Sequence, residues 1–180
     1  MQYIKGIDAY QNTRDSAITF GKFDGLHQGH NLLIQRVEEH QKKHNVDGVV
    51  VAFDMKRPDI LLTNPEKAEL LKDRIDYFVD CPFDETISSM EAEKFIKDII
   101  VGIFRAKYIV VGSDFRFGYQ KRGDYHMLQR FSEEYGYQVE VFEKKCYEGR
   151  EISSTYIKEE LQKGNMELVN HLLGHELICR

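Results

Sequence analysis

The stretch Ile18-Thr19-Phe20-Gly21-Lys22-Phe23-Asp24-Gly25-Leu26-His27-Gln28-Gly29-His30 runs out of a short apolar strand, through a glycine-punctuated turn, and into a helix. Gly21, Gly25 and Gly29 open backbone conformations closed to other residues and let a ligand approach with no Cβ in the way. A strand, a glycine-bearing loop and a helix start make an anion site, because unpaired amides and the positive end of the macrodipole point the same way. His27 and His30, three residues apart at the helix entrance, can both face a bound phosphate and donate N–H bonds to it. Two other readings compete. A zinc pair needs at least a third ligand, and no Cys or further His lies near in sequence. Two solvated histidines beside a turn are the plainer alternative.

The 180 residues, 42% of them hydrophobic with only three prolines, suit one globular domain over 1–180 with a full core. A net charge of −5 argues against nucleic-acid or anionic-membrane binding through a basic surface, so an anionic ligand needs a locally basic pocket. Cys81, Cys146 and Cys179 are far apart, odd in number and in no metal spacing, and read as thiols of a reducing compartment, the cytoplasm. No signal-peptide core opens the chain and no apolar run approaches ~18 residues, so a soluble protein without a membrane partner is expected.

Around the central stretch, Tyr3 to Tyr10 is ambiguous, with an edge strand as one reading. After His30, Leu33, Ile34 and Val37 keep helical spacing to about His44, with Asn45 and Gly48 as stop signals. His40 and His44 sit near the polar end of that helix and read as a solvated pair. Val49-Val50-Val51-Ala52-Phe53 is a buried parallel strand, which completes a βαβ unit. A loop from Asp54 leads to a helix at Pro65, with Asn64 as its cap. Tyr77-Phe78-Val79 and Tyr108-Ile109-Val110-Val111 are further strands, and Ala92 to Ile103 is an amphipathic helix with a 3.6-residue period. Gly112-Ser113-Asp114-Phe115-Arg116-Phe117-Gly118 is either a strand with both rings in the core or a loop at a strand's carboxyl end, where open α/β sheets put ligands. The basic Tyr119 to Gly123 loop follows, and a helix from Asp124 ends at Gly136. Tyr137 to Phe142 alternates as a strand. Ser153-Ser154-Thr155 runs into a helix, either as simple capping or as a second helix start aimed at the same phosphates.

The pattern G-x-F-D-G-x-H-x-G-H at 21–30 resembles the signature of the HxGH nucleotidyltransferases, which leaves the acceptor open. Joined in order by Phe53-Asp54, Val111 to Gly118, Arg122-Gly123 and Ile152-Ser153-Ser154-Thr155, it makes the chain from about residue 17 to Gly174 resemble the FMN adenylyltransferase module of bacterial FAD synthetases. The resemblance implies a Rossmann-like three-layer α/β nucleotidyltransferase fold, here with a parallel sheet of about five strands. It implies transfer of AMP from ATP to FMN, with Mg²⁺, giving FAD and pyrophosphate. Another phosphorylated acceptor, or flavin or nucleotide binding without turnover, stays open beside it. By this resemblance His27, His30, Asp114, Ser154 and Thr155 are the catalytic set. Gly21, Phe23, Asp24, Gly25, Gly29, Gly112, Ser153, Arg150 and Lys158 would bind ATP, and Phe53, Asp54, Phe115 and Phe117 would bind FMN. In that family a riboflavin kinase module usually follows where this chain ends, so the resemblance implies a stand-alone enzyme or a fragment, with a separate kinase supplying FMN.

The chain departs from the family pattern in three places. Glu151 stands where a basic residue is common, Lys158 where arginine is, and Met55-Lys56-Arg57-Pro58 where proline-histidine-proline is usual. A carboxylate beside two anions would repel them. Glu151 is therefore expected to turn aside or pair with Lys158 or another cation, while Arg150 or Lys158 supplies the missing charge.

Overall fold

Unbroken β-branched runs such as Val49-Val50-Val51 need cover on both faces, and the chain supplies it by alternating strands with helices. The computed structural model describes residues 1–177. The strands β1 (Gln2–Lys5), β2 (Ser16–Gly21), β3 (Asp47–Asp54), β4 (Tyr77–Pro82), β5 (Ala106–Gly112) and β8 (Gln138–Phe142) form one sheet in the order β1-β4-β3-β2-β5-β8. Every neighbouring pair is parallel. The sheet has six strands where about five were expected. The additional one is β1, which pairs along the outer edge of β4 with Gln2 opposite Tyr77. Helices α1 (Gln28–His44) and α2 (Asn64–Leu71) cover one face over Ala17, Val50, Ala52 and Val110. Ile18, Phe20, Val51 and Val111 point to the other face, under Phe95, Ile96 and Leu128. Near the sheet, α7 (Ser154–Gln162) and α8 (Met166–Leu173) form a third apolar cluster around Ile157 and Leu172.

The strand order reverses direction at β2. The chain leaves β2 toward β3 and β4, then returns to place β5 on its other side. The carboxyl ends of β2 and β5 therefore flank a switch-point crevice, the place where a doubly wound sheet binds ligands. Both quoted loops, 21–30 and 113–118, leave the sheet there.

Several local expectations are corrected. Thr63, rather than Asn64, caps α2. Its Oγ1 accepts from the Glu66 amide, and the Glu66 carboxylate accepts from the Thr63 amide at 2.7 Å, so the two satisfy each other. The segment after Asp84, which caps α3 (Glu85–Ser88), enters α4 (Ala92–Lys94) and continues as a π-helix over Phe95–Ile103. The Phe104 amide accordingly donates to the Ile99 carbonyl, five residues back, at 3.0 Å. The basic 119–123 loop is folded into a narrow ribbon, with β6 (Arg116–Phe117) antiparallel to β7 (Gly123–Asp124). Asp124 then caps α5 (Tyr125–Arg130), and after a break at Phe131 α6 (Ser132–Tyr135) ends at left-handed Gly136. Between β8 and Ser153 the chain forms a second hairpin, β9 (Cys146–Tyr147) with β10 (Arg150–Glu151). His40 is 4% exposed rather than solvated. Its Nε2 meets Glu140 at 2.5 Å and its ring stacks on Tyr108. Cys81 is a buried thiol pushed up to about 12 by desolvation, Cys146 is exposed, and Cys179 lies outside the described residues.

Candidate functional site

The switch-point crevice is a cleft of about 910 Å³. Three pieces of chain build it. The first is the turn after β2, where Phe23 and Leu26 join Gly25 at positive φ, of 50°, 46° and 81°. Side chains other than glycine seldom take this conformation, and it holds when the surroundings fix it. Phe23 is fully buried, and Asp24 accepts from the Leu61 amide at 2.7 Å and pairs with Lys158 at 2.8 Å. The turn delivers His27 to the N-cap of α1, where its Nδ1 accepts from the His30 amide at 3.4 Å. That acceptor role leaves the imidazole proton on Nε2. Gly21 and Gly29 work by lacking a Cβ rather than by φ. A Cβ on Gly29 would sit 3.2 Å from the His27 ring, and one on Gly21 3.2 Å from the Phe23 ring.

The His27 and His30 rings stack with centroids 3.6 Å apart, and Phe23 meets His30 edge-on at 5.2 Å. Burial pushes the His27 pKa from its ordinary 6.5 down to about 4, against the pull of Asp24 and Asp114. Burial likewise holds His30 well below its ordinary value, helped by repulsion from a protonated His27 and from Lys67. Both rings are neutral donors at pH 7. His30 Nδ1 is buried without a hydrogen-bond partner in the protein. A buried polar atom of this kind, beside a cleft, can be satisfied by a ligand atom.

The second piece is the start of α7. Ser153 caps it by accepting from the Tyr156 amide at 3.2 Å, so capping accounts for Ser153. Ser154 and Thr155 occupy the next two positions, whose amides have no intrahelical acceptor, and both line the cleft. The α1 start holds Gln28 and Gly29 in the same two positions. The two helix entrances are close, since a Cβ on Gly29 would lie 3.9 Å from the Ile152 carbonyl. Their positive dipole ends and free amides thus share one cavity.

The third piece is an aromatic wall. Phe20 stacks on Phe53 and Phe115 with centroids 6.4 and 6.1 Å apart, and Phe115 stacks on Phe117 at 5.5 Å. The rings of the 113–118 loop belong both to the wall and to the core edge, so the two sequence readings of that loop merge. Phe83, 43% exposed, meets Phe53 edge-on at the cleft margin. Asp54 beside it accepts from the Lys56 amide at 2.8 Å, which closes a tight turn.

Three residues expected at the site lie off the cleft lining. Gly25 packs into the core, where a Cβ would be 2.8 Å from Leu61 Cδ1. Arg150 pairs with Glu159 at 2.5 Å and lies over the Tyr156 ring at 3.9 Å. Lys158 is divided between Asp24 at 2.8 Å and Asp59 at 3.3 Å, which ties the 21–30 turn and the 54–61 loop to α7. The expectation that Arg150 or Lys158 supplies the missing charge is therefore corrected. Glu151 is tied to Lys144 at 2.9 Å, and Lys144 also reaches Asp114 at 3.3 Å. Its hydrogen bond to Glu151 raises the Lys144 pKa. Lys144 lines the cleft beside Gly112 and Asp114, and sequence reasoning missed it because it lies in the irregular connection between β8 and β9, which leaves no periodic signal. Lys67, 5% exposed, was missed too. Among the described residues no group of three or more His, Cys, Asp or Glu side chains could hold a metal ion, and no helix is long and apolar enough to cross a membrane.

Comparison with known proteins adds the following. The family model described as FAD synthetase matches residues 9–156. The bifunctional riboflavin kinase/FMN adenylyltransferase of Escherichia coli (strain K12) is 33% identical over 187 residues, and that of Haemophilus influenzae is 29% identical over 185. Each alignment takes in 97% of this chain and 60% of the relative, so the chain spans about three fifths of the length of these curated proteins. Among solved structures, a macrolide-efflux protein from Streptococcus pneumoniae superposes with a TM-score of 0.83 at 22% identity, over 98% of this chain and 63% of that one. A pantoate-beta-alanine ligase from Francisella tularensis gives 0.51 at 14% identity, over 97% and 78%. At such identities these two speak for the fold alone.

Proposed function

We propose, because the chain belongs to the FAD synthetase family, that it transfers AMP from ATP to FMN, giving FAD and pyrophosphate, and does so as one domain over 1–180. The observation that carries this reading is the meeting of two helix entrances, two neutral histidines and an aromatic wall in one cleft. FMN brings a phosphate monoester whose second pKa is near 6, so at pH 7 its oxygen is already ionised and needs no base. That oxygen attacks the α-phosphorus of ATP, a new P–O bond forms, the bond from the α-phosphorus to the bridging oxygen breaks, and pyrophosphate leaves with the electron pair. The protein's task is positioning and charge neutralisation.

His27 Nε2–H, His30, and the amides and hydroxyls of Ser154 and Thr155 take the triphosphate. The wall of Phe53, Phe115 and Phe117 takes the isoalloxazine. Mg²⁺, when bound, would be held by phosphate oxygens and water and would supply charge neutralisation on the triphosphate. ATP and FMN as substrates, with Cys81 as a free thiol, favour the cytoplasm. The FMN it consumes is the product of a riboflavin kinase activity.

The test is incubation of the purified protein with ATP, Mg²⁺ and FMN, with FAD and pyrophosphate quantified by chromatography. Equimolar formation of both is expected. ATP binding without FAD would sink the reading and favour another phosphorylated acceptor or a binding protein.

The charge relocation gives a second expected result. Lys144→Met should lower kcat/KM for FAD formation about tenfold, the loss of one partly exposed cation near the phosphates. Arg150→Ala, which removes a pair on the outer face of α7, should change it less than about threefold. Steady-state rates of the two variants check this. The reverse ranking would return the role to Arg150.

A further inference from the structure

Lys67 is an ammonium placed where ammonium groups are seldom found. The inward side of α2 carries Asn64, Lys67, Ala68 and Leu71, and the Lys67 side chain is 95% buried while still lining the cleft. Its Nζ donates to the Lys22 carbonyl at 2.9 Å and to Asn64 Oδ1 at 2.8 Å. Both acceptors are neutral. Among the described residues no carboxylate lies within ion-pair distance of it, and one of its three N–H donors has no acceptor. Asn64 is itself fixed, since its Nδ2 donates to Asp80 at 2.6 Å and Asp80 accepts from the Tyr3 hydroxyl at 2.7 Å. The network thus holds an oxygen toward Lys67 and keeps the ammonium in place.

A charge stripped of water and left without a counter-ion is unfavourable, and a ligand of opposite charge removes that cost. Desolvation indeed pulls the Lys67 pKa down, against the opposing fields of Asp24, Asp54 and Asp80. The group stands between two parts of the cleft. On one side its charge is felt by His30, whose Nδ1 is buried without a partner. On the other it feels Asp54, which follows Phe53 of the aromatic wall at the end of β3.

From this placement we propose that Lys67 binds the phosphate monoester of the acceptor and holds it as the dianion at the junction between the flavin wall and the triphosphate subsite. The proposal rests on the adenylyl-transfer reading above. A fixed ammonium stabilises the dianion over the monoanion, so the attacking oxygen stays ionised toward the acid side of neutral pH.

The experiment compares FMN with riboflavin, which share the ring and differ by the phosphate, by quenching of flavin fluorescence at pH 7 without ATP. Wild-type protein is expected to bind FMN about ten- to a hundredfold more tightly than riboflavin, the worth of one charge-assisted contact. Lys67→Met should bind the two alike, with the riboflavin affinity and the calorimetric ATP affinity unchanged, and Lys67→Arg should keep part of the preference. If Lys67→Met fails to fold by circular dichroism, Lys67→Gln, which can still donate to Asn64, carries the comparison. A neutral variant that keeps the FMN preference, or that loses ATP binding instead, overturns the proposal and leaves adenylyl transfer standing. A wild-type protein with no preference for FMN overturns the choice of acceptor, and this proposal with it.

Discussion

His30→Ala is expected to lower kcat/KM for FAD formation by about 10²–10³-fold, the range for removing one preorganised donor from a developing oxyanion. Its backbone amide closes the cap of α1 onto His27 Nδ1, and that bond survives the substitution. What is lost is the imidazole. The ring stacks on His27 and touches Phe23, and its orphaned Nδ1 serves no structural hydrogen bond. Removing a polar atom that has no protein partner costs the fold little, so the melting temperature should fall by only a few degrees, for a loss on the order of 1 kcal/mol of packing. Steady-state FAD formation and a thermal melt on the same preparation decide the matter. Parental turnover in a strongly destabilised variant would make His30 a packing residue and empty the proposed triphosphate site of its central donor.

Stability should fall steeply between pH 6.5 and 4, and His27 alone should account for about 3 kcal/mol of that fall. The folded protein holds this imidazole near 4 against an ordinary 6.5, because the ring is 7% exposed. Between those values the unfolded chain binds the proton and the folded one does not. Stability therefore rises with pH through the window and is lost as pH drops through it, by about 1.4 kcal/mol for each unit of separation. Asp24 and Asp114 face the ring and limit the shift, while a proton on His27 disfavours one on neighbouring His30. Protonation at Nδ1 would also break the α1 cap. His27→Asn isolates the effect, since asparagine caps a helix and does not titrate. Denaturant melts at pH 7, 5.5 and 4 should show the wild type losing about 3 kcal/mol more than the variant. Parallel losses would mean that the ring is solvated.

The parallel strands were legible because Val49 to Phe53 and Tyr108 to Val111 have no polar alternation, a pattern that only a covered sheet tolerates. The 21–30 turn was legible because its glycine and histidine spacing fits a strand, a turn and a helix entrance. Charge placement was not. Arg150 and Lys158 stand close to Ser154 in sequence, but whether a long side chain reaches a neighbouring carboxylate or the cleft depends on tertiary partners such as Glu159 and Asp59. Lys67 did leave a trace. Positions 64, 67, 68 and 71 follow the i, i+3, i+4, i+7 rule, so the lysine sits on the buried stripe of α2. A lysine on such a stripe deserves the suspicion usually kept for a buried histidine. The π-turns were hidden because the apolar positions of 92–103 also fit the 3.6-residue period of an α-helix.

A helix whose bonds reach five residues back holds more residues per turn than an α-helix, so the faces that the π-segment presents depend on its exact residue count. Phe95 opens the segment, with its ring 5.5 Å from Phe117 and 5.7 Å from Phe20. Losing one residue downstream would wind the segment back toward α geometry and rotate the remainder by about 100° relative to Phe95. The shape of the aromatic wall is thus bound to the length of a helix that lends the cleft a single side chain, Phe95. A gain or loss of one residue there would reshape the wall in a single step, with both helix entrances left as they were.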